Sequence, residues 1–369
     1  MAAIPQSMNT TSESIISWWG KREDMPRLHL GASIIGRECE RALWYSFRWA
    51  TSKQFDGRML RLFNRGHREE PQFLEELRGI GAEVYDSDPD TKRQHRFMTV
   101  RGHFGGSCDA IGRGFPEAPK TWAIVEFKTH NEKSFNELCK EGVKDAKPEH
   151  YAQMQVYMGL ADLDRALYLA ANKNTDELHS EWIKFDKDVF DKLVAKATRI
   201  IEAAEPPLGI SQDPAWYKCK MCDHKDVCHK QKVPQKNCRT CAFATPHDDG
   251  TWLCEADNRL LDYNEQLIGC RQHLYIPPLI TFATALDMGN GFVKYKHQDG
   301  TTIFANVTQD CDRSEANMTN DITACFTSDE LAVAVPAIVS DTYIAQLKKE
   351  FGATVVSSQE LPEDDDIPF

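Results

Sequence analysis

The chain has 369 residues, a formal net charge of −12 and twelve cysteines, with 41% hydrophobic residues. That length supports two or three domains with a sizeable core. The acidic balance excludes a general polyanion-binding surface, so any nucleic-acid site has to be a local basic groove. No run of about 18 apolar residues occurs, which argues against a membrane-spanning helix. The N-terminus lacks a basic-then-apolar leader pattern, so a reducing cytosol is expected. Cysteines in such a compartment point to metal or cluster ligation, not disulfides.

Residues 1–30 are polar and weakly patterned, with a short helix expected around Ser14–Trp19. Residues 31–45 read as a helix with Ser33 as its N-cap and Cys39 inside it. Phe55 to Gly79 reads as a longer helix, because Met59, Leu60, Leu62, Phe63, Phe73, Leu74 and Leu77 recur at helical spacing. It carries Gly66-His67-Arg68-Glu69-Glu70, and His67 and Glu70 share a side. A glutamate on a charged helix is ordinarily solvated; in a site it would add a ligand or a base. Val84–Asp90 and Phe97–Gly102 read as strands.

The segment from Gly102 to Lys128 organises the rest. Gly102-His-Phe-Gly-Gly106-Ser-Cys-Asp109-Ala-Ile reads as the tight end of a hairpin, and residues 113–120 as a Gly/Pro loop. Trp122-Ala-Ile-Val-Glu126-Phe-Lys128-Thr reads as a strand. Strand alternation sets Glu126 and Lys128 on one face, with Val125 and Phe127 on the other. Two acids and a lysine converging at strand ends suit divalent-metal phosphodiester chemistry. Carboxylates hold hard, oxygen-seeking ions, and such an ion activates water. A lysine orients that water or stabilises charge on phosphorus.

Residues 130–147 read as a polar connection. Pro148 then opens a helix in which Gln153 and Tyr157 share a face. Arg165–Ala171 and His179–Phe185 read as strands, and Val189–Ala204 as an amphipathic helix ending before Pro206-Pro207. The expected class is α/β with a mixed sheet, the acids on central strands and His67, Glu70 and Gln153 added from flanking helices.

Four pieces occur in a fixed order: Gly66-His67-x-x-Glu70, Gly106-x-x-Asp109, Glu126-x-Lys128 and Gln153-x-x-x-Tyr157. In that order they resemble the PD-(D/E)xK nuclease superfamily in its RecB-like exonuclease branch, over roughly residues 30–230. Tyr151-Ala-Gln153-Met-Gln155 is also similar to lambda-type phage recombination exonucleases. The resemblance implies a restriction-endonuclease-like sheet flanked by helices. It implies Mg2+ or Mn2+ on Asp109 and Glu126 with His67 completing the shell, Lys128 assisting the attacking water, and Gln153 supporting the site. Glu70 and Tyr157 join the same set. The Pro-Asp pair of the family is replaced by Cys108-Asp109.

Cys219-Lys-Met-Cys222 and Cys228 follow the last helix of this region. C-x2-C lets two thiolates reach one centre. Three local thiolates leave a fourth ligand wanted, which Cys39 can supply. The pattern resembles iron–sulfur exonucleases of the AddB and CRISPR-adaptation type, which implies a 4Fe-4S cluster stapling the ends of the domain; zinc on the same thiolates is the competing reading. Cys238-Arg-Thr-Cys241, Cys254 and Cys270 resemble a zinc ribbon or knuckle, with a second cluster as the alternative and His229, His247 and His273 as spare ligands. Cys108, Cys139, Cys311 and Cys325 have no partner spacing.

The texture changes after Tyr275. Pro277-Pro278 marks a linker, Phe292 to Phe304 is a hairpin around Asp299-Gly300, and Ser340–Phe351 reads as a helix stopped by Gly352. The sequence finishes in Asp364-Asp365-Asp366-Ile367-Pro368-Phe369. Acids for steering, two apolar anchors and a carboxylate make a peptide ligand. It resembles the terminal peptide of bacterial single-stranded-DNA-binding proteins, which implies host partners that read such tails. The expected organisation is an N-terminal segment (1–30), a nuclease domain closed by the cluster (31–232), a Cys-rich zinc-ribbon-like module (233–276), a small α+β domain (277–356) and a disordered acidic tail (357–369).

The function expected from all of this is metal-dependent DNA exonuclease activity on linear duplex or single strands. Phosphate contacts would come from Arg93, Arg96 and Arg101. The alternatives are a non-cleaving DNA-end-binding or recruitment protein and a structure-selective endonuclease.

Overall fold

The computed structural model describes residues 10–22, 25–52, 55–312, 322 and 324–333. One unit runs through residue 225 and takes in residues 243–267 as well. It opens with α1 (Thr10–Gly20), the two-residue strand β1 (Leu30–Gly31), α2 (Glu40–Phe47) and α3 (Gly57–Gly79). The strands β2 (Glu83–Tyr85), β3 (Arg96–Thr99), β4 (Phe104–Ser107), β5 (Ala110–Arg113) and β6 (Ala123–His130) follow. Then come α4 (Glu132–Ala146), α5 (Pro148–Ala161), β7 (Arg165–Asn172), β8 (Leu178–Lys184) and α6 (Lys187–Glu202). This is a mixed α/β fold. Its main sheet has the order β2-β5-β6-β7-β8, with β6 and β7 parallel and the other pairs antiparallel.

Local chemistry explains where these elements start. Asp56 caps α3 by accepting the Met59 amide at 2.7 Å. Pro148 stands at the first turn of α5, where its missing N–H costs nothing. Helix α3 buries Phe73, Leu74 and Leu77 against Val125 and Phe127 of β6 and Leu167 and Leu169 of β7. Phe73 and Phe127 stack with their ring centroids 5.0 Å apart. Helix α5 buries Met154, Val156 and Met158.

Three expectations are corrected. Residues 130–147 are not a polar connection: Asn131 accepts the Ser134 amide and starts α4, whose Phe135, Leu138 and Val143 are buried. The residues from 31 onward do not form one helix. A 3-10 turn spans Ala32–Ile34, and α2 begins only at Glu40, with Cys39 as its N-cap instead of an interior residue. Gly36 lies between the two. A Cβ there would come within 2.8 Å of Glu149 Cα, so α5 crowds the chain at the point where a continuous helix would pass. The third concerns Asp109. The tight turn lies upstream, at Val100, Arg101 and Gly102, all with positive φ, between β3 and β4. Strands β4 and β5 belong to different sheets (β4 to the order β1-β4-β3), and Asp109 sits where the chain passes from one sheet to the other.

Residues 243–267 carry a three-stranded sheet, β9 (Ala244–Pro246), β10 (Trp252–Cys254) and β11 (Arg259–Leu261). Trp252 is fully buried against Phe47 at a centroid distance of 5.3 Å. The Arg48 guanidinium lies over both Trp44 and Trp252 and donates to Ala244 O at 2.9 Å. These contacts tie the segment to α2 within the same unit.

The other unit comprises residues 226–242 and 268 onward. It holds the sheet β12 (Ala283–Gly289), β13 (Phe292–His297), β14 (Ile303–Val307) and β15 (Ala324–Phe326) in that order. The expected hairpin is β13–β14, and Asp299 accepts the Thr301 and Thr302 amides at 2.8 Å in its turn. The helix expected at Ser340–Phe351 and the tail at 357–369 lie outside the described residues.

Candidate active site

Strand register brings the two acids together. The last antiparallel pair of β5 and β6 is Ala110 with Val125, so one further step sets Asp109 opposite Glu126. Asp109 Oδ2 accepts the Phe127 amide at 2.8 Å, which fixes its carboxylate against β6. Lys128 Nζ donates to Glu126 Oε1 and to Phe127 O (3.1 Å) and lies 3.9 Å from Asp109 Oδ2. Alternation holds along β6: Val125 and Phe127 enter the apolar core under α3, while Glu126 and Lys128 meet Asp109 on the other face.

Glu126 is fully buried, and its Oε2 has no hydrogen-bond partner among the described residues. Burial pushes its pKa up to about 7, and the Asp109 charge pushes the same way against the pull of Lys128. Burial disfavours the charged form of Lys128, but the Glu126 and Asp109 carboxylates outweigh it, so the ammonium is held above its ordinary range. The adjoining Cys108 thiol is driven up by burial first, then by Glu126 and Asp109. It is a buried, protonated neighbour.

The helices supply the remaining expected residues. His67 Nδ1 and Glu70 Oε1 are 3.0 Å apart on α3, and the His67 side chain is 73% exposed. The Glu70 charge is felt at both Glu126 and Lys128. Gln153 and Tyr157 are buried on α5, with Gln153 Nε2 donating to Tyr157 Oη at 3.4 Å. Gly106 is needed for this approach, because a Cβ there would sit 2.6 Å from Tyr157 Oη. Lys128 thus reaches both Glu126 and Asp109, and the two acids act on each other electrostatically. Glu70 acts on Glu126 and Lys128 electrostatically, and His67 reaches Glu70.

Among the described residues no group of three or more His, Cys, Asp or Glu side chains stands ready to hold a metal ion. Both thiol sets are split between the two units. Cys39, Cys219 and Cys222 belong to one and Cys228 to the other; Cys254 belongs to the first and Cys238, Cys241 and Cys270 to the second. Also among the described residues, no helix is long and apolar enough to cross a membrane.

Sequence reading missed a buried polar group on the same face of the sheet. His130 follows Lys128 in the alternation of β6, and Tyr168 of β7 is in register with Glu126. His150 lies on the side of α5 that carries Gln153 and Tyr157. Tyr168 Oη is 2.8 Å from His130 Nε2 and 2.9 Å from His150 Nδ1. The three-residue step from His150 to Gln153 was the available signal.

The chain is similar to two solved exonucleases at the level of the fold. The alkaline exonuclease LHK-Exo from Laribacter hongkongensis is 15% identical with a TM-score of 0.35, over 51% of this chain and 90% of that one. A phage-related exonuclease from Haemophilus somnus is 16% identical with a TM-score of 0.32, over 44% of this chain and 77% of that one. No curated protein matches the chain significantly. The PD-(D/E)XK nuclease superfamily model matches residues 21–229, more than half of the chain and the whole of the Asp109–Glu126–Lys128 region, and the chain belongs to that superfamily.

Proposed function

We propose that this chain is a metal-dependent DNA exonuclease that hydrolyses phosphodiester bonds in recombination, replication or repair. The observation that carries this reading is the convergence of Asp109 and Glu126 on Lys128, with Glu126 Oε2 buried and without a hydrogen-bond partner among the described residues. Two carboxylates with an unsatisfied buried oxygen fit magnesium or manganese. Such ions are held by one or two carboxylates, with water and substrate phosphate filling the shell, so a third protein ligand is not required. Asp109 and Glu126 would hold the ion, and His67 on α3, with Glu70 beside it, would complete the shell. When bound, it lowers the pKa of water and neutralises charge at the phosphate.

The chain's own groups divide the remaining work. The Phe127 amide locks the Asp109 carboxylate in one orientation. The Lys128 ammonium, kept charged by both acids, faces developing negative charge on a phosphoryl oxygen and orients the attacking water. Gln153 donates to Tyr157, whose hydroxyl lies against Gly106 of β4, and so supports the site from α5.

The test is digestion of end-labelled linear duplex and single strands with magnesium or manganese. Asp109→Ala and Glu126→Ala are each expected to abolish degradation. Undiminished digestion by either variant contradicts the reading. Cleavage of closed circular DNA would favour a structure-selective endonuclease, and tight end binding without turnover would favour a recruitment role.

Two further assignments rest on the cysteine spacing and the resemblances it carries. Cys39, Cys219, Cys222 and Cys228 are proposed as 4Fe-4S ligands, and Cys238, Cys241, Cys254 and Cys270 as zinc ligands. The iron and zinc content of the purified protein tests both, and a metal-free preparation that stays folded removes them. Asp364–Phe369 is proposed to dock onto host proteins that read single-stranded-DNA-binding-protein tails. A peptide of this sequence without affinity for such a partner ends that idea.

A further inference from the structure

A directed hydrogen-bond chain runs beside the acids and ends at His150. Ser134 Oγ lies 3.1 Å from His130 Nδ1. His130 Nε2 lies 2.8 Å from Tyr168 Oη, and Tyr168 Oη lies 2.9 Å from His150 Nδ1. A hydroxyl gives one hydrogen and accepts on its lone pairs, and a neutral imidazole gives on one nitrogen and accepts on the other. The chain is therefore self-consistent in one sense or its reverse. In the first sense Ser134 donates to His130, His130 to Tyr168 and Tyr168 to His150, which leaves His150 Nε2 carrying a hydrogen.

The end of this chain is open. His130 and Tyr168 are buried, but His150 is half-buried. Its Nε2 has no hydrogen-bond partner among the described residues and is not among the enclosed polar atoms. His150 stands one turn before Gln153 on α5 and shares a face with Gln153 and Tyr157. Its ring stacks on Tyr168, the residue in register with Glu126. Burial, and after it the Lys128 charge, keep the imidazole neutral by holding its pKa down at about 3. Those costs of burying an imidazole beside an ammonium are hard to explain as packing alone, because an apolar residue would fill the same space without them.

We propose that His150, oriented by Tyr168 and His130, is a substrate-contacting residue whose Nε2–H donates to a non-bridging oxygen of the bound nucleic-acid backbone. A phosphodiester selects the sense of the chain that leaves the hydrogen outward, since an anionic oxygen accepts and cannot donate. His150 touches the backbone, whereas Tyr168 and His130 are positioning residues. The proposal rests on the nuclease reading for its choice of ligand, but the measurement that decides it, binding, does not depend on turnover.

The test is the affinity of the full-length protein for a fluorescein-labelled single-stranded oligonucleotide in chelator, followed by anisotropy. His150→Ala is expected to weaken binding about tenfold, the scale of one hydrogen bond to a charged group. His150→Gln keeps an N–H donor and should retain most of the affinity. Tyr168→Phe leaves His150 in place but frees its tautomer, and should weaken binding about threefold. In the cleavage assay, added imidazole should restore part of the activity of His150→Ala. Thermal melts report folding; if His150→Ala does not fold, the Gln and Tyr168→Phe variants decide. Wild-type affinity in folded His150→Ala, or in folded Tyr168→Phe where the former is lost, overturns the proposal. Glu126→Gln in the same two assays separates the readings. Should it still cleave, the nuclease assignment fails, while the binding data still judge His150.

Discussion

Strand β6 carries two kinds of side chain one residue apart. Val125 and Phe127 face α3 and join Phe73, Leu74 and Leu77 in an apolar core. Glu126 and Lys128 face the other way and bury charge against Asp109. The first face gains from every methylene removed from water. The second loses by desolvation and recovers only part of the loss through Lys128. A strand that needed only to fold would not bury, beside a second acid, a carboxylate oxygen that has no hydrogen-bond partner among the described residues. The first face stabilises the fold, and the second, which costs stability, is the one on which the proposed chemistry is placed.

The comparison makes its largest prediction at Glu126. Glu126→Gln should lower DNA hydrolysis on the order of a thousandfold. It should also raise the stability of the metal-free protein at alkaline pH. The sign follows from the pKa. The carboxyl gives up its proton near 4.5 when unfolded and near 7 when folded, so folded-state stability falls as pH rises through that window. Melting temperatures of wild type and variant should therefore agree near pH 4 and diverge in favour of the variant above pH 7. A variant less stable at both values would break the comparison.

On the apolar face the prediction reverses. Phe127→Ala removes the ring stacked on Phe73 and should cost about 3–5 kcal/mol of stability. What remains folded should retain cleavage per molecule, apart from any shift of the Asp109 contact to the Phe127 amide. Denaturant midpoints together with specific activity corrected for the folded fraction check this.

The smallest effect is expected at Gly106, where the two sheets approach α5. Gly106→Ala pushes a methyl group into Tyr157 Oη and should cost about 1–3 kcal/mol. Tyr157→Phe in the same chain removes the hydroxyl and should return part of that loss. Purely additive losses in the double variant would remove the contact from the account.

Much of this was legible in the sequence, for definite reasons. The alternation of Val125, Glu126, Phe127 and Lys128 set the two faces of β6 because side-chain direction in a strand depends only on parity. Pro148 and the Gln153–Tyr157 spacing marked α5 by equally local rules. The α4 helix was not legible, since its signal is one capping asparagine ahead of a charged stretch, with a glycine at φ 75° inside it. The passage of the chain between two sheets at Asp109 depends on which strands pair, which no local pattern carries. The division of residues 226–276 between two units was hidden for the same reason. Trp252 and Arg48 are about two hundred residues apart, and only folding shows them stacked. His150 was passed over because its partner, Tyr168, lies on a different element, β7, eighteen residues further along the chain.

If Asp109 and Glu126 share one divalent ion, a calorimetric titration of manganese into the folded protein reads it without turnover. Wild type should bind, and Asp109→Asn and Glu126→Gln should each lose most of the affinity, because removing either carboxylate dismantles the same site. Wild-type manganese affinity in either folded variant would contradict the central claim.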